Sequence, residues 1–179
     1  MIFNKKALDP TPDNQPVEVV DNQNRPLAVL SKTAVHRQLL RHRSVQIIVL
    51  DPDGKIFLQK RNNNKPFFPG RWDISARTHP QAGESTYDAG LRALKDELNL
   101  EVDHLHFLME LPAGPETGFE QVTLYTVPKN IHPVIPNTDE VAEGFYYSQE
   151  EMTCLVKEFR ELLTPNLVIL WETGLLANI

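Results

Sequence analysis

Residues 82–100 read AGESTYDAGLRALKDELNL, and this stretch decides the fold. Ser85 has the side chain of a helix N-cap, and Asp88 follows three residues later, as in a capping box. The apolar residues that come next predict a helix from Ser85 to Leu98. Side chains three or four positions apart share a face of such a helix, so the charged residues of its second half lie close to one another.

Three carboxylates belong to this segment, namely Glu84, Asp96 and Glu97. If they converge, they repel each other unless a cation joins them, and a hard divalent ion such as Mg²⁺ or Mn²⁺ prefers oxygen ligands of this kind. Arg92 lies one turn before Asp96 and is expected to orient Asp96 or Glu84 by ion pairing. The alternative is a solvated helix face with one ion pair between Arg92 and Asp96.

Short apolar runs and turn signals surround this helix. Val17–Val20 and Leu27–Leu30 predict a hairpin, and Ser44–Leu50 and Lys55–Lys60 predict strands on either side of a turn. Ser31 to His42 forms a short helical or irregular crossing between them. Further strands are expected at Trp72–Ser75, Val102–Leu111, Glu120–Val127 and Phe145–Tyr147, and helices from Ser148 to about Leu163 and from Pro165 onward. This order predicts an α+β fold, an α/β/α sandwich with a mixed sheet.

Length and composition limit the function. The chain has 179 residues, which predicts a flexible arm over 1–16 and one domain over 17–179. The net charge of −6 argues against a nucleic-acid partner. No apolar run approaches the roughly 18 residues of a membrane span. The single cysteine, Cys154, and an N-terminus without a signal-like apolar core predict a cytoplasmic protein.

The acidic helix matches a known pattern, G-x5-E-x7-R-E-U-x-E-E-x-G-U, in which U is aliphatic. Glu84, Arg92, Leu94, Glu97 and Leu100 occupy matching positions, and Asp96 conservatively replaces a glutamate. The segment therefore resembles the Nudix box. The resemblance implies the Nudix fold and divalent-metal-dependent hydrolysis of a diphosphate linkage.

The box departs from the pattern at three positions, which hold Thr78, Ala93 and Asn99. Ala93 stands where the family carries a glutamate that usually binds metal. A Nudix-fold protein that binds a phosphorylated ligand without hydrolysing it is therefore an alternative.

A second resemblance covers residues 17–171. The segments that carry it are Lys32–His36, Arg61–Lys65, Phe68–Trp72 and His79–Ser85. They are similar to type I isopentenyl-diphosphate isomerase and to the Nudix hydrolases nearest to it. The resemblance implies that Lys32, Arg61 and Lys65 grip a diphosphate and that His36 and His79 match metal ligands.

The isomerase's own catalytic groups are absent. Arg77 stands in the position of its catalytic cysteine, and an arginine cannot replace a thiol as an acid–base group. Of the isomerase's E-x-E pair only Glu120 remains. We therefore predict that this protein does not isomerise isopentenyl diphosphate, although an isomerase-like enzyme stays the third alternative. His42 falls one residue short of another histidine ligand of the isomerase, so a structural or substrate-facing role for His36 and His42 is also open.

The sequence thus favours a hydrolase that cleaves a nucleoside-diphosphate-linked or similar small molecule with Mg²⁺ or Mn²⁺. Phe67 and Phe68 are interpreted as loop anchors. The oligomeric state, for which a homodimer is one option, does not follow from the sequence. The predicted catalytic residues are Glu97, Glu120, Glu140 and Arg92, with Glu120 or Glu140 as general base. The predicted substrate-binding residues are Lys32, Arg61, Lys65 and Arg77, and the predicted metal ligands are Glu84, Asp96, Glu97, His36 and His79.

Overall fold

The computed structural model describes residues 15–176. Of the arm predicted over 1–16, residues 1–14 lie outside the described part of the chain. The strands are β1 Pro16–Val20, β2 Pro26–Ser31, β3 His42–Val49, β4 Ile56–Arg61, β5 Trp72–Asp73, β6 Ala76–Thr78, β7 His106–Leu111, β8 Glu120–Val127 and β9 Val141–Tyr147. The helices are α1 Lys32–Arg37, α2 Thr86–Leu98, α3 Gln149–Glu158 and α4 Pro165–Glu172.

The strands form two sheets. The larger sheet has the order β2-β1-β3-β8-β7, and β6 pairs with β3 beside β1. Strands β3 and β8 run parallel while the other pairs are antiparallel, so this sheet is mixed, as predicted. The smaller, antiparallel sheet has the order β5-β4-β9.

Strand β3 lies between two apolar cores, because its side chains alternate between the faces of the sheet. Val45 and Ile47 pack in one core with Leu94 of α2. Ile48, which points the other way, packs with Leu167 of α4 in the second core. Helices thus cover both faces of the central sheet, and the predicted α/β/α sandwich is confirmed.

Helix α2 forms as its sequence predicts. The Ser85 hydroxyl accepts a hydrogen bond from the backbone N–H of Asp88, and Asn99 ends the helix in the left-handed conformation with a φ of 47°. Asparagine tolerates this conformation better than most residues. The helix buries Ala89 and Leu94 against the sheet. This packing fixes the position of its charged residues beside β6.

Several elements differ from the prediction, among them β9, which begins at Val141 instead of Phe145. Strand β7 begins at His106 instead of Val102, because the backbone N–H of Leu105 donates to the hydroxyl of Tyr87 rather than to a neighbouring strand. Helix α3 ends at Glu158, and a separate 3₁₀ turn follows it before α4. Strand β6 was not expected at all, and it proves to carry two residues of the site.

Candidate functional site

A cavity of about 700 Å³ opens between α1, α2, β6 and the loop that follows β4. Every predicted site residue except Glu84 lines it. Residues that are far apart in the sequence therefore line one cavity, although several of them form other ion pairs and hydrogen bonds than expected.

The rings of His36, His42 and His79 come together with the carboxylate of Glu120, and all of these residues except His42 line the cavity. Each residue offers one ligand atom, and these atoms all lie within 4.8 Å of one another. Within residues 15–176 no other group of three or more histidine, cysteine or acidic side chains is arranged so closely. We call these four residues the histidine group.

Backbone carbonyls orient two of the rings. His42 Nδ1 donates to the carbonyl of Leu40 at 2.7 Å, and His79 Nδ1 donates to the carbonyl of Arg43 at 3.0 Å. Metal-binding histidines are commonly fixed in this way through the ring nitrogen that does not bind the metal. His79 Nε2 then faces His36 Nε2 at 3.1 Å.

His42 Nε2 is buried and makes no hydrogen bond. A buried polar atom without a partner costs free energy, so this orphaned lone pair indicates a missing ligand. Three imidazoles and one carboxylate fit a divalent transition metal better than Mg²⁺, which prefers oxygen ligands alone. The residues present therefore fit a metal.

The protonation states of the histidine group agree with metal binding. Burial, and secondarily the neighbouring His42, lowers the pKa of His36 to about 4. Burial also lowers the pKa of His42 and of His79. Burial alone would raise the pKa of Glu120, but Arg77, His79 and His42 together outweigh it and lower that pKa to about 2. At neutral pH the group thus offers neutral imidazoles and an ionised carboxylate, the forms that bind a metal.

Arg77 is the partner of Glu120. Its Nη2 lies 3.0 Å and 2.9 Å from the two carboxylate oxygens, and its Nη1 lies 3.5 Å from Asp73. The residue that stands where the isomerases have a cysteine therefore pairs with two carboxylates of the protein itself. Its predicted contact with substrate stays a prediction.

The three cations predicted to grip a diphosphate line the same cavity. Burial, together with the nearby charges of Arg77, Lys65 and Arg61, lowers the pKa of Lys32. Arg61 pairs with Asp73 at 3.3 Å, and Lys65 pairs with Glu140. An anion in the cavity would therefore find two of these cations already held by carboxylates.

The expected convergence of Glu84, Asp96 and Glu97 is not seen. Both carboxylate oxygens of Glu84 accept hydrogen bonds of 2.8 Å from Arg92, which also lies 3.8 Å from Asp96. Arg92 thus holds Glu84 away from the cavity. Ala93 stands where the Nudix box has a glutamate, so this position offers no carboxylate that could bind a metal together with Asp96 and Glu97. A metal-binding role for these three carboxylates stays a prediction.

Glu97 points into the cavity on its own. Its Oε2 accepts hydrogen bonds from Gln59 Nε2 at 2.7 Å and from the backbone N–H of Arg77 at 3.3 Å. Desolvation raises the pKa of Glu97 to about 7, even though these bonds oppose the shift. A carboxylate with such a pKa can both accept and release a proton near neutral pH.

The sequence reasoning missed two features of the site. His42 belongs to the histidine group, and the signal for it was its position six residues after His36. Phe67 and Phe68, interpreted as loop anchors, also line the cavity, and 45% and 41% of their surfaces are exposed. The ring of Phe67 lies 5.2 Å from that of His36.

Among residues 15–176 no helix combines the length and the apolar character needed to span a bilayer. The fold is shared with the crystal structure of DR0079 from Deinococcus radiodurans, with a TM-score of 0.75 and 22% identity over 89% of this chain and 98% of that one.

Sequence comparisons agree with the fold. An uncharacterized Nudix hydrolase of Yersinia pestis is 38% identical over 147 residues, which cover 80% of this chain and 78% of that protein. An isopentenyl-diphosphate Delta-isomerase of Brevibacterium linens is 30% identical over 158 residues, covering 85% of this chain and 87% of that one. A model of the NUDIX domain matches residues 40–165. Both resemblances in the sequence are thereby confirmed, and the chain belongs to the Nudix family.

Proposed function

We propose that this protein hydrolyses the diphosphate bond of a small organic diphosphate, such as a nucleoside diphosphate linked to a further group, with the help of a divalent metal. Membership of the Nudix family supports the reaction class. The observation that carries the proposal is the shared cavity, which is lined by three members of the histidine group, by Glu97 and by the cations Lys32, Arg61 and Lys65.

The histidine group would hold the metal, and Mn²⁺, Co²⁺ or Zn²⁺ suits its ligands better than Mg²⁺. A metal bound there would polarise a phosphoryl oxygen and lower the pKa of a bound water. A second ion, Mg²⁺, would bind with the diphosphate near Asp96 and Glu97.

The residues of the chain carry the remaining steps. Lys32, Arg61 and Lys65 neutralise the diphosphate and hold it against the inner wall. Glu97 accepts a proton from water, the water oxygen attacks phosphorus, and the bond from phosphorus to the bridging oxygen breaks. The leaving phosphate departs with that oxygen. Arg92 keeps Glu84 and Asp96 in place rather than touching the substrate.

We assign the general base to Glu97 rather than to Glu120 or Glu140. Arg77 keeps Glu120 ionised with a pKa of about 2, which makes it a very weak base. Lys65 occupies Glu140. The pKa of about 7 gives Glu97 the basicity that proton transfer needs near neutral pH. A cytoplasmic location and a homodimer stay predictions.

The direct test is hydrolysis of nucleoside-diphosphate and prenyl-diphosphate substrates with Mg²⁺, Mn²⁺, Co²⁺ or Zn²⁺, followed by ³¹P NMR of the products. Binding without turnover would favour the non-catalytic alternative, for which Ala93 speaks. Formation of dimethylallyl diphosphate from isopentenyl diphosphate would favour the isomerase, against which Arg77 speaks.

Lys32→Met should raise KM for the diphosphate substrate about tenfold or more and change kcat less. Lys32 is half-buried in the cavity wall, so the variant removes a charge that water replaces poorly, and a charge-assisted hydrogen bond is worth about 1.5–3 kcal/mol. Steady-state kinetics measures the effect. Lys157→Met is the matched control, because Lys157 is exposed on α3. Equal KM values for the two variants would contradict the role of Lys32.

Phe67→Ala should weaken binding of substrates that carry an aromatic or apolar group and leave pyrophosphate unaffected. The exposed ring of Phe67 at the cavity mouth would stack on that group, and a base stacked on an aromatic ring gains about 1–3 kcal/mol. Competition by pyrophosphate and by a nucleoside diphosphate measures both affinities. A similar loss for both ligands would show that the variant disturbs the cavity as a whole.

A further inference from the structure

We propose that Arg77 competes with the divalent metal for Glu120, and so sets the metal affinity of the histidine group. The inference rests on the metal-holding role proposed above for that group. It assigns to Arg77 a positioning role that acts through Glu120 rather than through the substrate.

The contacts of Glu120 support this competition. Arg77 Nη2 lies within 3.0 Å of both carboxylate oxygens, so neither oxygen is free. Only 7% of the Glu120 side chain and 19% of the Arg77 side chain are exposed, so water screens the pair poorly. A metal that binds Glu120 must therefore share this carboxylate with a buried cation, through the lone pairs that Arg77 does not use.

The surroundings of Arg77 make the exchange feasible. Arg77 Nη1 also contacts Asp73, which is fully buried and accepts a hydrogen bond of 2.8 Å from Thr164. The guanidinium therefore keeps a carboxylate partner when it gives up Glu120. Arg61 shares Asp73 at 3.3 Å, so loss of Arg77 would not leave Asp73 without a cation.

The charges around the histidine group also support a competition between Arg77 and the metal. Glu120 is the only carboxylate of the histidine group, so it supplies the negative charge of that group. The charge of Arg77 cancels it. A divalent cation thus meets a group with no net charge, next to the further positive charge of Lys32. Replacing Arg77 with a neutral residue restores a net charge of −1 to the ligands.

The test is titration of the purified, metal-stripped protein with Co²⁺, followed by the visible absorption of the bound ion and by calorimetry. Arg77→Gln should bind Co²⁺ at least about tenfold more tightly than the wild type, the scale of effects seen for residues around metal ligands. Glu120→Gln should bind at least tenfold more weakly, because it loses a charged ligand. Arg160→Gln is the control, since Arg160 is an arginine that pairs with Glu172 of α4 and does not line the cavity; its affinity should stay within about threefold.

The double variant Arg77→Gln, Glu120→Gln decides whether the effect runs through Glu120. The gain from Arg77→Gln should be much smaller in the Glu120→Gln background than in the wild type, because only the general charge effect of Arg77 remains when the contact between the two residues no longer exists. A gain of the same size in both backgrounds would overturn the proposal. So would an Arg77→Gln affinity equal to or weaker than that of the wild type, or the absence of Co²⁺ binding in all variants.

If Arg77→Gln does not fold, Arg77→Lys answers the same question. Lysine presents a single point charge instead of a planar fork, so it holds the carboxylate less completely. Its Co²⁺ affinity should exceed that of the wild type, and unchanged or weaker binding would contradict the competition. Hydrolysis with Mg²⁺ is measured separately, so failure of this inference is distinguishable from failure of the proposed function.

Discussion

Glu97→Gln is expected to lower kcat at least about 100-fold, the lower end of what a general base contributes. Glutamine has nearly the same shape and still offers an oxygen to Gln59 Nε2 and to the N–H of Arg77, so the cavity keeps its form. What the variant loses is the ability to accept a proton. Single-turnover kinetics on the substrate found in the hydrolysis panel measures the loss.

The pH dependence follows from the same carboxylate. Desolvation raises the pKa of Glu97 to about 7, and the base works only when deprotonated, so wild-type kcat/KM should rise with pH up to about 7 and then level off. The residual activity of Glu97→Gln should lack this rise. Glu140→Gln is the matched control; it should lose less than about tenfold, the size of a modest electrostatic effect, because Lys65 already holds Glu140. A larger loss in Glu140→Gln than in Glu97→Gln would return the role of base to Glu140.

Stability should respond to Glu97 in the opposite direction. The folded protein raises the pKa of Glu97 above its unfolded value, so its contribution to stability is complete at pH below about 4.5 and is lost as pH rises through about 7. Glu97→Gln carries no such charge. The variant should therefore melt above the wild type at pH 8, and the advantage should vanish near pH 4.

The sequence predicted the elements whose signals are local. Ser85 caps α2, Thr164 caps α4, and the continuous apolar run 47–49 in β3 is typical of a strand covered on both faces. Each of these depends on residues within one or two turns. The family pattern then placed α2 beside the site.

His42 was harder to assign, because its position depends on a left-handed backbone conformation at a leucine. A leucine in a sequence does not signal that conformation. Helix α1 ends at Arg37, and Leu39 then adopts a left-handed conformation with a φ of 53°. That turn brings His42 back toward His36, so a ligand one residue out of register reaches the same group. The position of Phe68 in the cavity lining also depends on the backbone, because Phe68 has a φ of 50°, which few phenylalanines adopt.

The partners of the charged residues could not be predicted, because each pair spans a long stretch of sequence. Arg92 could pair with Asp96 or Glu84, and only the fold of residues 79–84 brings Glu84 to it. Arg77 meets Glu120 because β6 and β8 both pair with β3, one on each edge, at positions that share a face of the sheet. The long side chain of Arg77 then reaches across β3 to Glu120. A sequence pattern identifies which residue types share a site, but the tertiary structure decides which charges cancel.

Ala93→Glu should convert α2 into a stronger Mg²⁺ site while making the metal-free protein less stable. Ala93 is only 1% exposed and packs in the core beneath α2, yet it also lines the cavity. A glutamate there lies one turn before Glu97, so its carboxylate projects along the same face. Without a cation, the two desolvated carboxylates repel each other. We expect the free energy of unfolding to fall by about 1–3 kcal/mol in the absence of metal.

Mg²⁺ should reverse this loss. An added oxygen ligand strengthens a site for a hard cation, so the variant should bind Mg²⁺ at least about tenfold more tightly than the wild type, as one charged ligand commonly does. Calorimetric titration and melting curves with and without Mg²⁺ measure the two effects. Ala93→Gln is the matched control, because it has the same size without the charge: it should lose stability through crowding and gain no Mg²⁺ affinity.

The comparison also tests which site the missing glutamate served. If Ala93→Glu gains Mg²⁺ affinity and the gain disappears when Glu97 is also changed to glutamine, the helix face is a metal site that lacks one ligand in this chain. If Ala93→Glu is destabilised and gains nothing, Arg92 holds Glu84 and Asp96 too firmly for a metal to recruit them. The histidine group would then remain the proposed metal site of the cavity. Its metal affinity, which we propose that Arg77 sets, would then determine whether the enzyme is active.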